Sequence, residues 1–340
     1  MTTAMARETM EASDAVGRGL EANAAALADL ARRLAAKPPA VVVTSARGSS
    51  DHAASYLKYL VEILIGIPCS SMGASVVSIY EAPLKVQDAL VLTVSQSGRS
   101  PDIVAFQDAA RRRGGLTVAI VNDGQSPLAQ GADICLPLLA GRETSVAATK
   151  SFIASLAVAA ALVAAWSDDK TLGRAVASLP DTLDRAQAYR WAAAEPVLTK
   201  ARSLYMLGRG PAFPIAQEAA LKLKETSGLH AEAYSSAEVM HGPLELVGEA
   251  FPVVVFSPDD AARQTTTDTM ARLRKTGAHV MAVEPGEASD ERLAYPPTGH
   301  PFVDPIAMVQ VFYRLADTVA RARGHDPDRP RWLSKVTETT

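Results

Sequence analysis

The segment Pro214–Thr226 (PIAQEAALKLKET) carries Glu218, Lys222 and Glu225. Spacings of four and three put these side chains on one helical face. Such a pattern is usually a salt-bridged surface helix. Here it is followed by Gly228-Leu229-His230-Ala231-Glu232-Ala233-Tyr234, then Glu238 and His241-Gly242-Pro243, so carboxylates, an ammonium and imidazoles crowd a short length of chain. In the first half, Ser95-Gln96-Ser97-Gly98-Arg99-Ser100-Pro101-Asp102 offers three hydroxyls, a glycine that admits close backbone approach, and an arginine. Ser100 suits the N-cap of a following helix and Pro101 its first position, where a missing N–H costs nothing. Free N–H groups at that helix start, added to neutral hydroxyl donors, make an anion site. Arg47-Gly48-Ser49-Ser50 would supply more hydroxyls. A held phosphate together with Glu, Lys and His suits aldose–ketose chemistry. The imidazole moves the proton that opens a sugar ring, a carboxylate carries a proton between C1 and C2, and the lysine steadies an enolate or forms a Schiff base. His230 and Glu232 have no third ligand at a metal-binding spacing, so no metal site is expected. No G-x-G-x-x-G follows either first-half strand and no Walker A loop is present, which favours a small phosphate ester over a nucleotide.

The elements that must position these groups are legible as alternating runs. Ala40–Ser45 and Ala89–Ser95 are continuous and β-branched, as parallel strands covered on both faces should be. Each leads through Gly and Ser into an amphipathic helical stretch, Asp51–Ile65 and Pro101–Arg113, and strands Leu116–Val121 and Ile134–Leu138 follow. This predicts a doubly wound α/β sheet, with the two Ser/Gly loops at adjacent strand ends forming its crevice. The second half repeats the order with Ser203–Leu207, Phe251–Ser257 and Ala278–Glu284. Gly48 and Gly210, Ser95 and Ser257, and Val121 and Val283 are each 162 residues apart. Three landmarks at one offset imply a duplicated unit. Where copy one has Ser95-Gln96-Ser97-Gly98, copy two has Ser257-Pro258-Asp259-Asp260, whose carboxylates would repel a phosphate. Copy one is therefore expected to bind and copy two to keep only the scaffold there.

Composition bounds the rest. A length of 340 residues suits two domains or one large one. Lys and Arg total 34 against 37 Asp and Glu, a net charge of −3 that provides no basic field for nucleic acid. Aromatics at 5% require an aliphatic core. Cys69 and Cys135 are too few for a disulfide framework. They are expected to be buried, reduced thiols, consistent with a cytoplasmic location. Residues 1–15 contain no apolar signal-like region. Phe152–Trp166, shorter than the roughly 18 residues of a membrane span, is expected to be a buried Ala-rich helix of a soluble protein.

Taken together, the landmarks resemble the tandem sugar isomerase (SIS) domain pair, most closely the isomerase half of glucosamine-6-phosphate synthase. They are Gly48-Ser49-Ser50, Ser95–Gly98, Val146-Ala147-Ala148-Thr149-Lys150, Glu218–Glu225 with Ser227, His230–Tyr234, Glu238, His241-Gly242-Pro243, Pro330-Arg331 and Lys335. The resemblance implies an N-terminal helical segment (1–30), a phosphate-binding SIS domain (31–166), connecting helices (167–200), a second SIS domain carrying Glu, Lys and His (201–325), and a tail (326–340) that closes over the site. A polar, Pro-containing tail would otherwise read as a frayed end. It implies phosphate ligands at Ser50, Ser95, Gln96, Ser97 and Ser100, and sugar contacts at Ser49, Val146 and Ser334. Glu225 would be the proton-transfer base beside Lys222, and Lys335 the tail lysine. His241 would open the ring from the neighbouring subunit of a homodimer, while His230 and Glu232 would be structural. No metal or organic cofactor is implied. Arg99, Ser100 and Ala148 depart from the synthase pattern, and no amidotransferase cysteine precedes Cys69. Arg99-Ser100-Pro101-Asp102 and Lys335–Thr339 look more like stand-alone two-SIS-domain glucosamine-6-phosphate deaminases. The expected reaction is therefore glucosamine 6-phosphate plus water to fructose 6-phosphate plus ammonia. The alternatives are an isomerase or deglycase on another sugar or fructosamine phosphate, or a non-catalytic sugar-phosphate sensor.

Overall fold

A computed structural model describes residues 2–335. The expected tail motif Val336–Thr339 lies outside the described residues. The chain divides into two compact units. The first comprises Ala12–Glu143 and Lys150–Pro180; the second comprises residues 2–11, Thr144–Thr149 and Asp181–Lys335. The N-terminal 1–30 segment is thus shared out. Helix Ala4–Met10 belongs to the second unit and helix Ala12–Ala36 to the first.

The first unit holds β1 (Val42–Ser45), β2 (Cys69–Ser71), β3 (Leu90–Ser95), β4 (Leu116–Val121) and β5 (Ile134–Pro137) in the order β2-β1-β3-β4-β5, every pair parallel. The second holds β6 (Ser203–Gly208), β7 (His230–Ser235), β8 (Pro252–Phe256), β9 (His279–Glu284) and β10 (Arg292–Ala294) in the order β10-β9-β8-β6-β7, again all parallel. Counted within each unit, both sheets run second-first-third-fourth-fifth. The duplication read from the 162-residue offset is therefore a duplication of topology. In this order the chain leaves the first and third strands in opposite directions, and their carboxyl ends flank the crevice where open α/β sheets bind ligands. In the first unit these are the ends of β1 and β3.

Every residue of β1, β3 and β8 is buried. Their Val and Leu runs suit a parallel sheet covered on both faces, and the buried polar residues Thr44, Ser45, Thr93 and Ser95 fall in the carboxyl-terminal halves of β1 and β3. One face of the first sheet packs Val43, Val91, Ala119 and Val121 against Phe106, Ile103 and Leu128. The second sheet builds an equivalent cluster from Tyr205, Leu207, Val253, Val255, Met270 and Leu273. The apolar run Phe152–Trp166 lies within an 18-residue helix, Lys150–Ser167, long and apolar enough by composition to cross a membrane. It is 83% buried, packed on helices Ala12–Ala36 and Ser49–Leu64. The two cysteines are free, as expected, but half-buried rather than buried. Both lie on the outermost strands, β2 and β5, where cover is incomplete.

Candidate active site

The turn after β3 is built by its own side chains. Ser95 Oγ accepts the Gly98 N–H at 2.9 Å and Ser97 Oγ accepts the Arg99 N–H at 3.3 Å. A hydroxyl that accepts a backbone bond still has its own proton to donate, so both serines are oriented by the turn and remain donors. Gly98 has φ +63°, and a Cβ placed there would lie 2.1 Å from Ser126 Oγ and 2.8 Å from Val121 Cγ2. Only glycine fits. Ser100 occupies the N-cap position of helix Pro101–Arg112 with Pro101 following, but its hydroxyl makes no capping bond. The expectation holds for backbone geometry and not for the hydroxyl, because Ser100 Oγ does not bond the first-turn N–H groups. Those groups have no intrahelical acceptor and carry the positive end of the helix dipole.

Arg99 does not contribute free charge to this cradle. It pairs with Asp123 at 2.8 Å, and the Gln125 N–H and then Arg99 hold the Asp123 carboxyl below its ordinary range. The cation that joins the two loops is Arg47, which ion-pairs with the buried Asp102 in the first turn of helix Pro101–Arg112. Ser49 and Ser50 open helix Ser49–Leu64 directly after Gly48, whose φ is +53°. All six predicted anion-loop residues (Ser49, Ser50, Ser95, Gln96, Ser97 and Ser100) thus stand at the ends of β1 and β3. The equivalent loop of the second unit carries carboxylates, Asp259 and Asp260, in place of Ser97 and Gly98. Asp260 accepts the Ala262 N–H at 2.8 Å, its carboxyl pushed up first by burial and further by Asp259. Arg263 donates to the Ser257 carbonyl at 3.3 Å and pairs with Glu284 at 3.2 Å.

The helix carrying the candidate acid–base residues is Phe213–Ser227, ended by Gly228 in the left-handed conformation at φ +58°. The salt-bridged surface pattern suggested by its spacing is not what forms. Lys222 is 1% and Glu218 0% exposed. Lys222 Nζ lies 3.6 Å from Glu218 Oε1 and donates to Glu225 Oε2, and the Glu225 side chain is 22% exposed. Tyr313, from helix Asp304–Ala322, donates to Glu218 Oε1 at 3.0 Å. A buried ammonium between two carboxylates is costly to desolvate and survives only with such closely placed partners. Arg323 secures the helix end by donating to the carbonyls of Ser227, Thr199 and Ala201 at 2.8–3.1 Å.

Glu225 also faces a cavity of about 600 Å³ whose other wall is the tail, Arg329, Pro330, Arg331, Trp332 and Leu333. The tail is therefore packed on its own unit as far as Lys335, and the frayed-end reading fails over 326–335. The reason lies in contacts distant in sequence. Asp328 accepts the N–H groups of Ala4 and Met5 at 2.7 and 2.8 Å, capping helix Ala4–Met10, and its carbonyl accepts the Val146 N–H at 3.3 Å. Glu8 on that helix accepts from Thr144 Oγ1 at 2.8 Å and from the Ser145 N–H at 3.2 Å. Lys335 Nζ donates to the Ser145 carbonyl at 2.7 Å. Val146 and Lys335 are thereby brought together, with Ser334 alongside in sequence. Glu8 and Asp328 had no local sequence signal; an acid placed to cap a helix more than 300 residues away cannot be recognised from spacing.

His241 is exposed, next to Gly242 at φ +106°. Its loop is tied down by Tyr205 Oη donating to the Pro243 carbonyl at 2.9 Å. His230 and Glu232 lie on β7, an edge strand whose short Ala-and-polar sequence lacks the β-branched apolar run that marks the inner strands. Tyr234 donates to Glu232 at 2.8 Å, and this bond first, then burial, pushes the Tyr234 phenol up to about 12. Among the described residues no group of three His, Cys, Asp or Glu is placed to hold a metal ion.

The doubled, all-parallel, second-first-third-fourth-fifth sheet places the chain in the doubly wound α/β class. The chain belongs to the SIS domain family, whose model matches residues 37–165 and 197–287. It is 35% identical over 312 residues to a glutamine–fructose-6-phosphate aminotransferase (isomerizing) of Zymomonas mobilis, covering 86% of this chain and 51% of that protein. The chain spans about half the length of the curated relatives it matches. A crystal structure from Silicibacter pomeroyi DSS-3, assigned as a phosphosugar isomerase, superposes with a TM-score of 0.90 at 42% identity over 96% of this chain and all of that one. The C-terminal domain of a glucosamine-fructose-6-phosphate aminotransferase from Francisella tularensis does so with a TM-score of 0.85 at 27% identity, covering 97% of this chain and 99% of that one.

Proposed function

We propose that the chain catalyses aldose–ketose isomerisation of an amino-sugar phosphate with loss of its nitrogen, converting glucosamine 6-phosphate and water to fructose 6-phosphate and ammonia. In this reading Ser50, Ser95, Gln96, Ser97 and Ser100 hold the phosphate, and Ser49, Val146 and Ser334 contact the sugar. His241, supplied by the partner in a homodimer, moves the ring proton from the C1 hydroxyl to the ring oxygen. Glu225 takes the C2 proton and returns it to C1. Lys222 holds Glu225 in place for that transfer, and Lys335 steadies the developing oxyanion. The product of the transfer is a C2 ketimine; water adds at C2 and ammonia departs, so no oxidant or reductant enters.

The observation that carries the reading is the buried Lys222 ammonium clamped by two carboxylates, one of which faces the tail-walled cavity. A sensor has no proton to move, so an ammonium-held carboxylate facing a cavity favours an enzyme over a binding module. Support also comes from the Ser/Gly turn, whose donors are neutral and fixed before any ligand arrives.

The test is ammonia release from glucosamine 6-phosphate by wild type, Glu225→Gln and His241→Ala. Wild type should turn over, and each variant should lose at least about a hundredfold in kcat, as expected for removal of a general acid or base. Mixing the two variants should restore activity through hybrid dimers. Tight sugar-phosphate binding with no turnover by wild type would convert the reading to that of a sensor.

A further inference from the structure

The acid–base helix has a partner that the proposed reaction does not use. Tyr313 sits on helix Asp304–Ala322, is 0% exposed, and directs its hydroxyl at Glu218 Oε1, 3.0 Å away. The same carboxylate oxygen is 3.6 Å from Lys222 Nζ, whose bond runs on to Glu225 Oε2. Four side chains therefore form one line from the core outward: Tyr313 hydroxyl, Glu218 carboxylate, Lys222 ammonium, Glu225 carboxylate. Exposure rises along it from zero at Tyr313 and Glu218 to 22% at the Glu225 side chain.

The chemistry of this line has a direction. A phenol donating to a carboxylate favours its ionised form, and a hydrogen bond to a charged acceptor is stronger than one between neutral groups. An ionised Glu218 beneath Lys222 gives the ammonium a second anionic neighbour on its inner side. With its charge balanced from within, the ammonium stays protonated and its donor stays on Glu225. In the buried environment both effects are enhanced, because little water competes for these groups.

We propose that Tyr313 is a positioning residue for proton transfer. Its hydroxyl holds Glu218 as an anion under Lys222, and through Lys222 it fixes the carboxylate of Glu225. This rests on the function proposed above for Glu225. It makes Tyr313 the remote end of the machinery, acting through Glu218 and touching no substrate.

The experiment is kinetics of ammonia release for Tyr313→Phe, Glu218→Gln and the double variant, with ¹⁵Nζ spectra of the lysine ammonium groups, the Lys222 signal identified by its loss in Lys222→Met. Tyr313→Phe should lower kcat by about tenfold, the size expected for losing one hydrogen bond to a charged group, with KM within about twofold. The double variant should be no slower than Glu218→Gln alone, since both changes cut the same line. The Lys222 ammonium signal, slow to exchange in wild type, should exchange faster in Tyr313→Phe. An unchanged kcat and unchanged ammonium exchange in Tyr313→Phe would overturn the assignment, as would fully additive losses in the double variant. The ammonium spectrum is read without substrate, so absence of turnover in wild type would count against the proposed reaction, while the spectrum still decides whether Tyr313 governs Lys222.

Discussion

Gly98→Ala is the most direct probe of the proposed phosphate turn, and its cost can be worked from geometry. The residue sits at φ +63°, so alanine incurs roughly 1 kcal/mol for left-handed backbone. The new Cβ would also lie 2.1 Å from Ser126 Oγ, 2.6 Å from Ser126 Cβ and 2.8 Å from Val121 Cγ2. None of these neighbours moves freely. Ser126 caps helix Pro127–Gly131 through its bond from the Ala129 N–H, and Val121 ends a fully paired central strand. Overpacking of this kind adds about 1–3 kcal/mol, giving a total of about 2–4 kcal/mol. That corresponds to a fall in melting temperature of roughly 4–16 °C for a unit of this size. Because the Gly98 N–H orients Ser95 Oγ, affinity for glucose 6-phosphate measured by titration calorimetry should fall with it. Adding Ser126→Gly removes the two nearest atoms, so the double variant should regain part of the loss while the backbone cost remains. A Gly98→Ala protein as stable as wild type, or a double variant no better than Gly98→Ala, would refute this account of the turn.

Two further outcomes follow from the second unit. Lys222→Met leaves Glu218 buried without its cation and should cost about 3–5 kcal/mol in chemical denaturation; Glu218→Gln in the same chain should recover much of it. The Tyr234 phenol should titrate at about 12 by ultraviolet absorbance in wild type and lower in Glu232→Gln, which removes the accepting carboxylate. A phenol raised in the folded state stabilises it fully below the unfolded value near 10 and loses that contribution as pH rises through 10 to about 12. The Glu232→Gln protein should therefore lose less stability than wild type across that interval.

Much of the fold is written in local pattern. β3, β4 and the helix after Pro101 fall within a residue or so of where β-branched runs and the Ser-Pro start place them, because a strand buried on both faces reads as a nearly continuous apolar run and proline is pre-organised for a helix's first turn. The duplication was equally plain, since conserved spacing between copies survives changes of side chain. The short edge strands β2 and β10 escaped notice, as did β7, because an outer strand is only partly covered and tolerates Cys, Ser, Arg, His and Glu.

The candidate site divides along the same line. Which residue types stand together at the turn Ser95–Ser100 and on the face Glu218–Lys222–Glu225 was set by chain-local spacing of 3.6 residues per turn and by Gly/Ser chemistry. Tertiary structure alone decided that Lys222 is sealed in the core instead of lying in solvent, that Arg99 is neutralised by Asp123 while Arg47 joins the two loops, and that the tail packs down through Asp328 and Lys335. The reason is that charge state and burial depend on partners tens to hundreds of residues distant. One-dimensional spacing carries no record of which partners fold onto them.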